Sequence, residues 1–313
     1  MSLYSSFKNK KILIIGGTGF LGYHLAKKCL LKKWDVTSVS TNSPKKIRFL
    51  KKVKYLTLDI TKKNLLTKKI KSNYDFVVNF GGYVNHREKL KTYKSHYIGC
   101  KNLADIFKNK KIKSFIQIGS SVEYGRAKSP QKENNKTDIK KLKSAYAQAK
   151  LMATNYLLKL NKKHNFPCTI LRLYLVYGPN QDNNRLIPHT LHECLNDKAF
   201  ECSSGKQYRD FLFVDDLIKA IFKCFNNKKS IGEIINIGSG EPRNVKKVIL
   251  LIKKKINLGK PIFGKISLRK DEILTLFPNI LKAKKILNWI PSTSFQKGIE
   301  IITKHYKNLI PYD

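Results

Sequence analysis

The chain has 313 residues, 42% of them hydrophobic, which is enough to bury a sizeable core in one large domain or two smaller ones. No run reaches the ~18 apolar residues of a membrane-spanning helix, which argues against membrane insertion. Lysine and arginine number 63 against 21 aspartate and glutamate, a formal charge of +42, yet the lysines run from Lys8 to Lys307 in twos and threes with no basic tail or aromatic-laced stripe; specific nucleic-acid binding is not expected, although the field should draw in anionic substrates such as a nucleotide diphosphate.

The first element is Lys11-Ile-Leu-Ile-Ile15, a short apolar run bounded by glycines that predicts a buried strand rather than a signal peptide, so the chain is expected in the cytoplasm. Gly16-Gly-Thr-Gly-Phe-Leu-Gly22 follows, and residues from His24 to Lys32 continue at helical spacing. Glycines at 16, 19 and 22 between a strand and a helix fit a dinucleotide loop. The first permits the turn, the second lets backbone approach a pyrophosphate, and the third lets helix pack on strand. The helix N-terminus then offers free N–H groups to the phosphates. Gly16, Thr18, Gly19, Phe20, Leu21 and Gly22 are the candidate cofactor residues of this loop. A second strand is predicted at Val36–Val39. It runs into Ser40-Thr41-Asn42, where an acidic residue would normally bind the adenosine ribose. Ser40 and Asn42 can bind a ribose hydroxyl, and no carboxylate there repels a 2′-phosphate, so NADP is not excluded.

Further strands are predicted at Tyr55–Leu58, Phe76–Phe80 and Phe115–Ile118, a long helix at Leu142–Leu160, and a sixth strand at Thr169–Leu173. Such alternation predicts an α/β fold with a Rossmann-type, doubly wound parallel sheet. After Gly178-Pro179 the alternation weakens. The expected organisation is a nucleotide-binding domain at 1–178, with 211–240 returning to it through Phe211–Val214 and Ile234–Gly238. A smaller, mixed α/β substrate domain takes 179–210 and 241–313. The six cysteines form no C-x-x-C pair and read as buried thiols of a reducing compartment. His189, His192 and Glu193 lack the other residues of a zinc motif, and no metal is expected.

Tyr146-Ala-Gln-Ala-Lys150 puts a phenol and an ammonium on one helix face. A free tyrosine is a poor base at neutral pH, but a cation about 4 Å away favours its ionised form by about 4 kcal/mol at an effective dielectric of ~20. Ser120, at the end of the fifth strand, is the candidate hydroxyl that would hold the same substrate oxygen.

The sequence resembles the extended short-chain dehydrogenase/reductases, the NAD-dependent epimerase/dehydratase family of sugar-nucleotide enzymes. The likeness runs nearly end to end. It rests on the glycine loop, Asp59-Ile60, Asn79-Phe-Gly-Gly82, Gly119-Ser-Ser-Val-Glu-Tyr-Gly125, Tyr146/Lys150 and Arg172-Leu-Tyr-Leu-Val-Tyr-Gly-Pro179. It continues through Gln207-Tyr-Arg-Asp-Phe-Leu-Phe-Val-Asp215, Asn236-Ile-Gly-Ser-Gly240 and Lys282–Pro291. The resemblance implies NAD as cofactor and adenine contacts from Asp59 and Ile60. It places Phe80, Gly81 and Gly82 beside the cofactor and gives Lys150 a second role on the nicotinamide ribose. Among substrate residues it implies Ser121, Val122, Asn236 and Arg209, the last gripping the diphosphate. It also implies a homodimer joined through 88–108 and 144–162 as a four-helix bundle.

Departures narrow the chemistry. Where the 4,6-dehydratases carry an Asp-Glu pair, this chain has Ser121 and Val122, and Glu123 falls one residue late, so water elimination is not expected. Leu175 and His96 stand where the family has asparagines. The pattern looks closest to dehydrogenases acting at C4 of a GDP-linked heptose for capsule modification, giving a 4-keto sugar. A C4 epimerase is the alternative. A non-catalytic, nucleic-acid-binding Rossmann protein is the alternative of a different class.

Overall fold

The computed structural model describes residues 9–85, 87–268 and 272–308. The strands, in chain order, are β1 (Lys11–Ile15), β2 (Asp35–Ser40), β3 (Lys54–Thr57), β4 (Phe76–Asn79), β5 (Ser114–Ser120), β6 (Cys168–Leu173), β7 (Leu175–Tyr177), β8 (Ala199–Ser203), β9 (Tyr208–Phe213), β10 (Ile234–Ile237), β11 (Pro242–Asn244), β12 (Lys260–Ile266) and β13 (Thr275–Leu276). Seven form the main sheet in the order β10-β6-β5-β4-β1-β2-β3. The pairs β1–β2, β2–β3, β1–β4 and β4–β5 are parallel. The order reverses between β1 and β4, which opens a crevice at their carboxyl ends, the usual ligand position of an open parallel sheet.

The helices are α1 (Phe20–Leu31), α2 (Lys63–Lys69), α3 (Lys89–Tyr93), α4 (Gly99–Phe107), α5 (Ala145–His164), α6 (Leu186–Leu195), α7 (Val214–Cys224), α8 (Val245–Ile256), α9 (Leu281–Leu287) and α10 (Phe295–Lys307). Helix α5 starts at a Ser144 cap, whose side chain accepts from Ala147 N, and ends at Asn165 in the left-handed conformation. Among the described residues, no helix is long and apolar enough to cross a membrane.

The chain divides into two compact units, one of Met1–Gly119, Asp138–Leu171 and Ile221–Ile234, the other of Ser120–Thr137, Arg172–Ala220 and Ile235–Asp313. The first is held by a core that includes Leu13, Ile15, Val77, Phe107, Phe115 and Leu157. The second has its own, with Tyr177, Phe211, Ile249, Ile252 and Ile299. All six cysteines are buried and free. Burial pushes the thiols of Cys29, Cys100 and Cys168 up to about 12, which leaves them inert.

Two expectations on organisation are corrected. Phe211–Val214 does not rejoin the main sheet. Its residues end β9 and open α7, and β9 pairs with β7, β11 and β13 in a small separate sheet. An apolar run such as Phe-Leu-Phe-Val signals burial in a strand, not which sheet receives it. Residues 120–137 also group with the later part of the chain, because Gln131 pairs with the 277–279 segment: Gln131 N donates to Phe277 O and Asn279 N to Gln131 O.

Candidate active site

At the cofactor end, Gly16 has φ +74, a conformation that glycine adopts freely. A Cβ on Gly22 would lie 2.3 Å from Gly16 O and 2.6 Å from Gly17 Cα, so α1 packs directly on the turn. A Cβ on Gly17 would meet Ser38 Oγ at 2.4 Å, and Gly19 N donates to Gly16 O. Thr18 N donates to Ser40 Oγ at 3.3 Å, which ties the end of β2 to the loop. Asn42 lies beyond it, exposed. Phe20 and Leu21 begin α1. The backbone cradle is thus open only because the loop carries no side chains at these points, and it fits a pyrophosphate on a helix N-terminus.

The turn after β4 stands against this loop: a Cβ on Gly16 would meet Phe80 C and Gly81 N at 3.2 Å. Gly81 N donates to Asn79 Oδ1, and Asn79 Nδ2 donates to Gln117 Oε1 on β5. Asp59 Oδ1 accepts from Thr61 N, while Asn102 on α4 donates to the carbonyls of Ile60 and Thr61. Ile60 packs between Gly81 and Gly99. Its side chain is buried, so whatever it offers a base is confined to its edge.

The reaction-centre pair sits on α5. Lys150 is 4% exposed and its Nζ donates to Ile118 O at 2.6 Å. That bond fixes α5 against β5 two residues before Ser120. The same Nζ lies 5.9 Å from the centre of the Tyr146 ring. His96 meets Tyr146 edge to face, with ring centres 4.9 Å apart. It sits in a π-helical turn, Lys94–Ile98, and its Nε2 lies 3.1 Å from Tyr83 O. A Cβ on Gly82 would fall 1.8 Å from His96 Cε1, so the glycine is what lets the imidazole reach this place. Such π turns recur at functional sites because they displace one side chain from regular register.

In the second unit, Ser120 caps the short 3₁₀ turn Ser121–Tyr124. Its N–H donates to Glu123 Oε1, and Glu123 Oε2 takes Arg172 Nε at 3.0 Å in a buried ion pair. Glu123 is therefore committed to structure and turned to Ser120's backbone, as its late position implies. Ser121 is buried and Val122 half-buried. Asn236, expected to touch substrate, is fully buried, accepts from Tyr124 OH and donates to Gln131 O.

Arg209, which the resemblance assigns to the substrate diphosphate, pairs with Glu272 and donates to the carbonyls of Tyr208 and Leu274. The carboxylate holds the donors a diphosphate would use. Glu272→Gln is expected to tighten nucleotide-sugar binding roughly three- to tenfold, as titration calorimetry would read, because a neutral partner competes less. Asp210, the next residue, is 1% exposed and accepts from Ser239 N, Ser239 Oγ and Gly240 N. Burial outweighs these donors and pushes its carboxyl from 3.8 up to about 6. The folded state thus holds this proton more tightly than the unfolded chain, and stability falls as pH rises between about 4 and 6, by about 3 kcal/mol in all. Denaturation of the wild type and of Asp210→Asn across that range should show their stability difference shifting by this amount, with the wild type gaining toward low pH.

Sequence reasoning missed three supports: Asn79, Asn102 and the bracing role of His96. Asn79 had a signal, a polar residue closing the apolar strand Phe-Val-Val-Asn. His96 had one too, standing where the family has an asparagine, while Asn102 had none beyond lying on a helix.

A glycine-loop cradle at the sheet's switch point and a tyrosine–lysine pair on the helix fixed to β5 define a dinucleotide-dependent oxidoreductase of the extended short-chain type. The model of the NAD-dependent epimerase/dehydratase family matches residues 12–238, and the chain belongs to that family. It is 28% identical to a Bacillus subtilis (strain 168) protein described as an uncharacterised UDP-glucose epimerase, over 92% of this chain and 95% of that one. It is also 28% identical to a putative UDP-glucose 4-epimerase of Methanocaldococcus jannaschii, over 95% and 98%. Among solved structures, the UDP-glucose 4-epimerase of Thermotoga maritima with UDP-glucose shares the fold with a TM-score of 0.89 at 22% identity, covering 96% of this chain and 100% of that one. Membership of that family, whose members are NAD-dependent enzymes, removes the non-catalytic reading.

Proposed function

We propose that this enzyme transfers hydride at C4 of a nucleotide-diphosphate sugar. The observation that carries the reading is Lys150, buried and anchored to Ile118 O, beside a Tyr146 ring braced by His96. Tyr146 takes the proton of the C4 hydroxyl, Lys150 favours the phenolate, and Ser120 steadies the oxygen as it becomes a carbonyl. The glycine loop, Ser40, Asp59, Ile60 and the turn at Phe80–Gly82 hold the dinucleotide. A bound NAD would supply the hydride acceptor for C4 and, in an epimerase, the donor for its return to the opposite face. Arg209 holds the diphosphate once Glu272 gives way. Glu123, the carboxylate nearest Ser120 in sequence, is bound to Ser120 N and Arg172, which disfavours water elimination by it.

The names of the relatives favour the epimerase outcome; the resemblance at the level of motifs favours a dehydrogenase on a GDP-linked heptose, with a role in capsule building. Incubation with UDP-glucose and a GDP-heptose in parallel, with products followed by NMR, decides. A mixture of C4 epimers supports epimerisation, an accumulating 4-keto sugar supports dehydrogenation, and no change at C4 of either sugar contradicts the proposal. The reading includes a cytoplasmic location, in keeping with six free thiols. It also includes a homodimer through 88–108 and 144–162, which sedimentation would test as a mass twice that of the chain.

A further inference from the structure

The first unit carries a second concave site, a cleft of about 690 Å³ at the amino ends of β1, β2 and β4. These strands run parallel, so the cleft lies at the opposite edge of the sheet from the glycine loop, about 16 Å away along β1. Lys10, Lys32, Lys33, Trp34, Phe222 and Phe225 line it, and among the described residues no carboxylate does. Lys10 Nζ lies 5.2 Å from the centre of the Trp34 ring, and Lys32 Nζ lies 5.6 Å from that of Phe222. Trp34 in turn packs on Phe76, Phe222 and Phe225. The floor is aromatic, and every charged side chain on it among the described residues is a cation.

Lys33 gives the independent observation. Seven non-glycine residues among those described have positive φ, and six are Asn or Asp, which tolerate that conformation. Lys33, with φ 59, is the exception. A side chain of this kind in the left-handed region costs about 1–2 kcal/mol where glycine would cost nothing. The turn between α1 and β2 thus keeps a lysine where its backbone favours glycine, and that residue lines the cleft. Asp75, near Lys10, is spent on Lys113 and Lys11 N.

We infer that this cleft binds a free nucleoside polyphosphate, its base on the Trp34–Phe222 surface and its phosphates on Lys10, Lys32 and Lys33. The volume lies within the ~300–1,000 Å³ of small-molecule sites. Three lysines around one aromatic floor match a polyphosphate, whereas a strand of nucleic acid calls for an extended basic track.

The test is titration of the wild-type protein with ATP, followed by Trp34 fluorescence, beside the triple variant Lys10→Ala, Lys32→Ala, Lys33→Gly. Glycine at 33 suits the turn, so the variant should fold, and NAD affinity and turnover serve as controls that should not move. The expected result is quenching by ATP in the wild type and affinity at least ~tenfold weaker in the variant. Equal affinity in both overturns the inference, as does tripolyphosphate binding as tightly as ATP, which would make the aromatic floor idle. Oligoadenylate binding far more tightly than ATP overturns it in favour of a single strand. Quenching that appears only once residues 1–8 are deleted would overturn it too, since the cleft would then be closed to ligand in the intact chain.

Discussion

Tyr146→Phe should bind NAD with near-wild-type affinity and lose turnover by ~10²–10⁴-fold, the usual contribution of one positioned acid–base group. The variant keeps the ring that meets His96 edge to face and lies beside Lys150, so packing at α5 is preserved. Only the hydroxyl goes. Calorimetry for NAD and steady-state rates on whichever sugar nucleotide proves active would check the split. Turnover within a fewfold of wild type would show that another group takes the C4 proton. His96 would be the first to examine, as the other titratable group on the Tyr146 ring.

Gly22→Ala is the second large effect, and it acts through backbone. The new Cβ would meet Gly16 O at 2.3 Å and Gly17 Cα at 2.6 Å. Neither is the far end of a flexible side chain, so either the loop or α1 must shift. Overpacking of this kind costs about 1–3 kcal/mol of stability. The displaced loop no longer presents its N–H groups to the pyrophosphate, and NAD affinity should fall by more than ~tenfold, because a misplaced donor forfeits a charge-assisted hydrogen bond. Thermal unfolding and NAD titration of the same sample would separate the two losses. Unchanged NAD affinity would mean that the dinucleotide does not rest on this turn.

Much of this site was legible because its signals are local. The glycine loop is a strand, a turn and a helix in one run of sequence, and Tyr146 and Lys150 share a face through helical geometry alone. The main-sheet strands announced themselves as apolar runs between polar ones. What the sequence hid depends on distant pairing. Phe211–Val214 has the composition of a core strand but belongs to another sheet. Asn236 matches a family position yet is consumed by Tyr124 and Gln131, residues more than a hundred positions away. The hold of Glu272 on Arg209 spans 63 residues and leaves no periodic trace. His96 was visible as a departure, but its approach to Tyr146 required the π turn and the missing side chain at Gly82. The lysine at 33 looked like one more solvated charge until its backbone conformation set it apart.

The most direct test of C4 hydride transfer uses a nucleotide sugar deuterated at C4, mixed with the NAD-loaded enzyme. The nicotinamide is read by mass spectrometry and the sugar by NMR. The account predicts that deuterium either appears on the nicotinamide as a 4-keto sugar forms, or remains at an inverted C4 after its return. Deuterium washed out to solvent, or left in place while the sugar changes at another carbon, would contradict it.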